Sequence, residues 1–145
     1  MDTSDMMTAN HKECDEVFAA VEAAAEKQDW PGLEYTLDRF VRLMQKHLAM
    51  EEEVLFPALE KAMSMAAGPI SVMRSEHEQM RELFAQLEQL LEARDRDGLL
   101  GTSETLLILM QQHNAKEEQV LYPMIDRVLA SSAEDFHARF SGWHE

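Results

Sequence analysis

Four histidines and two glutamates recur at a constant offset of 66 residues: His11 with His77, His47 with His113, and Glu51 with Glu117. Imidazole and carboxylate together are transition-metal donors, and this set suits iron better than manganese or zinc. The spacing sharpens the reading. His47 and Glu51 are four residues apart, as are His113 and Glu117, so on a helix each pair shares one face. Apolar residues occupy the same faces: Phe40, Leu43, Met44, Val54 and Leu55 in the first copy, Leu106, Leu109, Met110, Val120 and Leu121 in the second. Burying an uncompensated charge on such a face is costly, and a cation is the simplest compensation.

Hydrogen-bonded His–Glu pairs would account for a single His-x-x-x-Glu motif on an acidic helix. Two copies, each matched by a histidine at equivalent height on the preceding helix, favour a metal instead. Six donors exceed the four ligands of a closed zinc site, so two metals bridged by carboxylates use them more economically.

The same repeat specifies the elements that must position these residues. It runs without gaps through Phe18 and Phe84, Asp29 and Asp95, Leu33 and Leu99, and Pro57 and Pro123. Each copy reads as two helices, over about 8–27 and 32–63, then about 70–94 and 102–130. Asp29-Trp30-Pro31-Gly32 and the segment from Asp95 to Gly98 mark the turns, and Ala66-Ala67-Gly68-Pro69 breaks the chain between copies. Asp29 lies midway between His11 and His47, and Asp95 midway between His77 and His113. At about 1.5 Å per residue, both histidine pairs sit roughly 27 Å from their turns, in one layer.

The expected fold is all-α: an up-down-up-down four-helix bundle built from two pseudo-symmetric hairpins. One domain is expected over 1–145, with copies about 8–66 and 74–132 and a tail, 131–145, that adds a short helix. Prolines inside the second and fourth helices predict a kink or local bulge next to Glu51 and Glu117.

The 28 acidic residues against 13 Lys and Arg give a net charge of −15. That balance excludes a protein that neutralises phosphates, so neither nucleic acid nor an anionic membrane surface is expected as partner. The hydrophobic fraction of 46% is ordinary for a globular domain. The single cysteine, Cys14, and the lack of a signal-peptide pattern in MDTSDMMTAN lead to a cytoplasmic expectation.

The sequence resembles the hemerythrin-like family, also called the HHE cation-binding domain. His11, the segment HLAMEEEVLFP from His47 to Pro57, Glu76-His77, and HNAKEEQVLYP from His113 to Pro123 carry the resemblance. It implies a left-handed four-helix bundle around a non-haem di-iron centre. His11 and His47 would bind one iron, His77 and His113 the other, and Glu51 and Glu117 would bridge them beside an oxo or hydroxo group. It also implies binding of dioxygen or another small diatomic ligand, at the His11/His47 iron; a binding protein is expected ahead of an enzyme. Carriage, storage and sensing are the roles expected first. A reactive centre handling nitric oxide or peroxide, or iron storage and donation for repair, is the alternative. Oxygen-carrying members have a fifth histidine one turn before the third-helix ligand, where this chain has Met73. Met73 is expected to pack rather than bind, leaving water, Glu76, or a tail histidine (His137 or His144) to complete that iron. Core packing is the expectation for Cys14 and Tyr122, and Met50, Met63 and Met65 are expected to be exposed.

Overall fold

The computed structural model describes residues 2–143, and these form seven α-helices. Helix α1 is Thr3–Lys27 and α2 is Trp30–Met50. A π-helical turn, Glu51–Leu55, carries α2 into α3, Phe56–Ala62. Helix α4 is Ala67–Glu92 and α5 is Arg96–Lys116. A second π turn, Glu117–Leu121, leads into α6, Tyr122–Val128, and α7 is Ala133–Ser141. Because α2–α3 and α5–α6 are each continuous, the architecture is a bundle of four antiparallel rods with α7 as a short addition. No strand occurs among the described residues.

Helix α1 starts at Thr3 and α5 at Arg96, earlier than the residues near 8 and 102 expected from periodicity. Capping explains the difference. Asp2, Asp29 and Asp95 are N-caps whose carboxylates accept from the backbone N–H groups of Asp5, Gly32 and Gly98. The Asp-to-Gly segments read as turns are therefore the first turns of helices. The chain reverses just before them, at Gln28 and Arg94, repeat partners with φ of 56° and 55°. At each, two backbone N–H groups fold back onto the preceding helix: Gln28 N to Ala25 O and Asp29 N to Ala24 O, then Arg94 N to Leu91 O and Asp95 N to Leu90 O. This closes the helix C-terminus with a left-handed residue, a place usually taken by glycine.

The expected distortion at the prolines takes the form of the π turns. Phe56 N–H bonds to Glu51 O and Tyr122 N–H to Glu117 O, each five residues back. The wider turn relieves the clash of a proline ring with the carbonyl four residues before it, so the helices continue past Pro57 and Pro123.

Two apolar clusters form the core. One, at the hairpin-turn end, is built around Phe18, Phe40 and Phe84, with ring centroids 4.7 and 5.7 Å apart. The other contains Met7, Met50, Leu55, Phe56, Met73, Leu121 and Ile125, with α7 contributing Phe136 and Phe140. Met50 is thus buried, not exposed as expected; Met65 is exposed at 86%. Val120, expected inside, is 49% exposed. The six repeated His and Glu residues are buried too, but belong to neither cluster.

Candidate metal centre

The hairpin geometry brings His11 of α1 against His47 of α2, with ring centroids 4.5 Å apart, and His77 of α4 against His113 of α5 at 4.9 Å. Glu51 and Glu117 lie at the starts of the two π turns. Donor atoms of His11, His47, Glu51 and Glu117 all lie within 4.8 Å of one another, as do those of Glu51, His77, His113 and Glu117. The two clusters share both carboxylates. All six side chains are essentially inaccessible, with His11 the most exposed at 4%.

Each carboxylate divides its oxygens between the clusters. Glu51 Oε2 is 3.6 Å from His47 Nε2, while its Oε1 is 3.0 Å from His77 Nε2. Glu117 Oε1 is 3.1 Å from His11 Nε2, while its Oε2 is 3.2 Å from His113 Nε2. A bridging carboxylate needs this division.

The outer ring nitrogens are held as consistently. His11 Nδ1 is 2.6 Å from Glu118 Oε2, His77 Nδ1 2.6 Å from Glu52 Oε2, and His113 Nδ1 2.8 Å from Glu76 Oε1. An ionised carboxylate only accepts, so each Nδ1 carries the proton and turns the Nε2 lone pair inward. His47 Nδ1 is 2.6 Å from Asn10 Oδ1, and the Asn10 amide is oriented by donating to Glu13 at 3.3 Å. Two of the supporting carboxylates are anchored in turn. Arg81 grips both oxygens of Glu52 at 2.9 Å, and Lys116 donates to Glu76 at 2.6 Å. The arrangement obeys the repeat: Glu52 and Glu118 are partners, and so are Asn10 and Glu76.

His77 Nε2 and His113 Nε2 approach to 3.2 Å, and Glu51 Oε1 and Glu117 Oε2 have no hydrogen-bond partner although buried. Lone pairs from two imidazoles and two carboxylates converge without a donor among them, which is the electrostatic signature of a cation site. Without a cation, protons are the available counter-charge. Burial opposes charging His11 and His77, yet Glu117 and Glu118 for the first, and Glu51 and Glu52 for the second, push both up to about 9. Burial likewise opposes His113, and Glu117 raises it; for His47 burial prevails and lowers it. Burial resists ionisation of Glu51 as well, but the imidazoles around it hold its carboxyl well below the usual range. The residues present therefore fit two divalent or trivalent ions with oxygen and nitrogen ligands.

The other sequence expectations divide. Glu76 supports His113 from outside and does not reach the inner donor layer. Met73 is buried at 2% in the apolar cluster, as expected. His137 lies on α7 and belongs to neither donor cluster, its Nε2 buried without a partner, and His144 lies outside the described residues. Cys14 packs in the turn-end cluster, where burial pushes its thiol up to about 12. Tyr122 is the departure. Its ring is buried as expected, but its hydroxyl enters the donor layer and donates to Glu51 Oε2 at 2.6 Å. Burial, with Glu117 and Glu51 nearby, raises that hydroxyl well above its usual pKa.

Residues 2–125 match the hemerythrin HHE cation binding domain family. Among curated proteins, the chain is 38% identical over 73 residues to the iron-sulfur cluster repair protein YtfE of Cronobacter sakazakii. It is 33% identical over 73 residues to the proteins of that name from Escherichia coli K12 and Shigella boydii. Each alignment covers 47% of this chain and 33% of the relative, so the chain spans about a third of the length of the curated relatives it matches. No solved structure matches it. Family and clusters together support non-haem iron binding.

Proposed function

The chain belongs to the hemerythrin HHE cation-binding domain family, and from that premise we propose a non-haem di-iron protein that binds a small diatomic ligand, dioxygen first. The observation that carries this reading is the division of the Glu51 and Glu117 oxygens between two histidine pairs. His11 and His47 would hold one iron, His77 and His113 the other, with both glutamates bridging, and residues 1–145 serving as one domain. The oxo or hydroxo bridge belongs to the same proposal. Bound there, the pair of irons would supply redox capacity and Lewis acidity.

The protein's own contribution is orientation and exclusion of water. Glu118, Asn10, Glu52 and Glu76 fix the imidazole rings, while apolar clusters above and below keep the layer dry. A dry layer strengthens every charge interaction within it. The acidic exterior keeps nucleic acid outside this reading.

Iron donation for cluster repair is the second reading, favoured by the names of the relatives and by Met73, which offers the His77/His113 iron no hard ligand. Titration of the anaerobically reduced protein with dioxygen separates the two. A stable spectrum that reverses on removing dioxygen supports binding. Irreversible oxidation without an adduct, together with transfer of iron to a cluster-free iron–sulfur protein, supports repair.

A further inference from the structure

The six-residue set leaves out one oxygen that reaches into it. Tyr122 Oη lies 2.6 Å from Glu51 Oε2, 3.1 Å from His11 Nε2, 3.1 Å from Glu117 Oε1 and 3.2 Å from His47 Nε2. Those four atoms belong to the four residues of one of the two donor clusters. With bonds of about 2.1 Å in an octahedral shell, adjacent donors stand about 3.0 Å apart. Tyr122 Oη is close to that separation from all four at once. A hydroxyl that only packed against the centre would approach one or two donors from outside.

The internal repeat supplies a control. The partner of Tyr122 is Phe56, whose ring lies 5.7 Å from that of His77, much as the Tyr122 ring lies 5.6 Å from that of His11. Both half-sites have an aromatic ring in the same place, so packing alone is served by phenylalanine. Only one half-site has the oxygen, which must be buried at a cost unless it is bonded. The π turn makes the approach possible. On a regular helix a residue five positions after Glu117 would point about 140° away from it, and the extra residue per turn closes that angle.

We propose that Tyr122 Oη is a ligand of the metal held by His11, His47, Glu51 and Glu117. The oxygen–metal bond forms as the O–H bond breaks, and the proton leaves to solvent as the other ligand protons do. A phenolate is a hard anionic donor suited to ferric iron. The two irons would then be inequivalent: Tyr122 would add an oxygen donor on the His11/His47 side, while Phe56 and Met73 would offer the His77/His113 side neither oxygen nor nitrogen.

The proposal rests on the di-iron reading, and one experiment tests them separately. The protein is stripped with a chelator, reloaded anaerobically with ferrous iron, and the iron counted. Ferricyanide then takes one electron from each ferrous ion, and visible and resonance Raman spectra are recorded for the wild type and Tyr122→Phe. The expected result is two irons per chain in both proteins. A phenolate-to-ferric charge-transfer band with enhanced tyrosinate vibrations is expected in the wild type and lost in the variant. Two irons with no such band in the wild type, or an unchanged band in Tyr122→Phe, overturns Tyr122 ligation and leaves the di-iron reading standing. Iron well short of two per chain in the wild type defeats both. If the variant fails to fold, the wild-type protein, whose other tyrosine is the exposed Tyr35, decides: the band supports the proposal and its absence overturns it.

Discussion

Each imidazole of the centre has two jobs on its two nitrogens: Nε2 faces the shared layer and Nδ1 is tied to a side-chain oxygen outside it. The ties set ring orientation and raise ligand basicity. Glu52→Gln or Glu118→Gln is expected to weaken iron affinity about 10–100-fold. Chelator competition reads this directly, and unchanged affinity would mean the ties are incidental. The pH dependence carries the opposite sign for iron-free and iron-loaded protein. His11 and His77 have folded-state pKa values raised from 6.5 to about 9. Their contribution to iron-free stability is full below about 6.5 and is lost as pH rises through about 9. The Tm of the chelated protein is therefore expected to fall across that window, while iron retention rises because metal and protons compete for the same nitrogens. The six donors were legible in the sequence because the repeat marks them twice. Glu52 and Glu118 carry the same mark, but adjacency to a motif assigns no role without the neighbouring helix. Tyr122 was missed for a different reason: the π turn shifts helical phase by one residue, and Pro123 was the available signal.

At the scale of elements, the helices are set by their ends more than by their interiors. Three aspartates start α1, α2 and α5, and periodicity alone misjudged two of those starts because the capping carboxylates lie outside the apolar pattern. Asp95→Ala is expected to cost about 1 kcal/mol in urea unfolding. Gln28 is a non-glycine residue held at φ 56°. Gln28→Gly is expected to stabilise the fold by about 1 kcal/mol in the same assay, since the left-handed conformation penalises a Cβ. No change would mean that Gln28 makes compensating contacts. The π turns tie element to site, because each begins on a glutamate shared by the two donor clusters and leads into an aromatic ring stacked on one histidine, Phe56 on His77 and Tyr122 on His11.

For the whole molecule, stability and metal content are expected to be coupled, since the layer between the two apolar clusters is buried and holds the carboxylates of Glu51 and Glu117. No helix among the described residues is long and apolar enough to cross a membrane. The acidic excess noted in the sequence is an exterior property, whereas Glu51 and Glu117 are interior charges that require partners. Removing one partner of a buried ionic group typically costs about 3–5 kcal/mol, so His47→Ala and His113→Ala are expected to lower Tm as well as metal content. The proposed occupancy is two irons held by six residues in two shared clusters. It is tested most directly by counting iron per chain, after anaerobic loading and removal of free metal, in the wild type and in the His47→Ala/His113→Ala double variant. Two irons per chain are expected in the wild type and nearly none in a folded double variant. Two irons retained by that variant, or no iron taken up by the wild type, would contradict it.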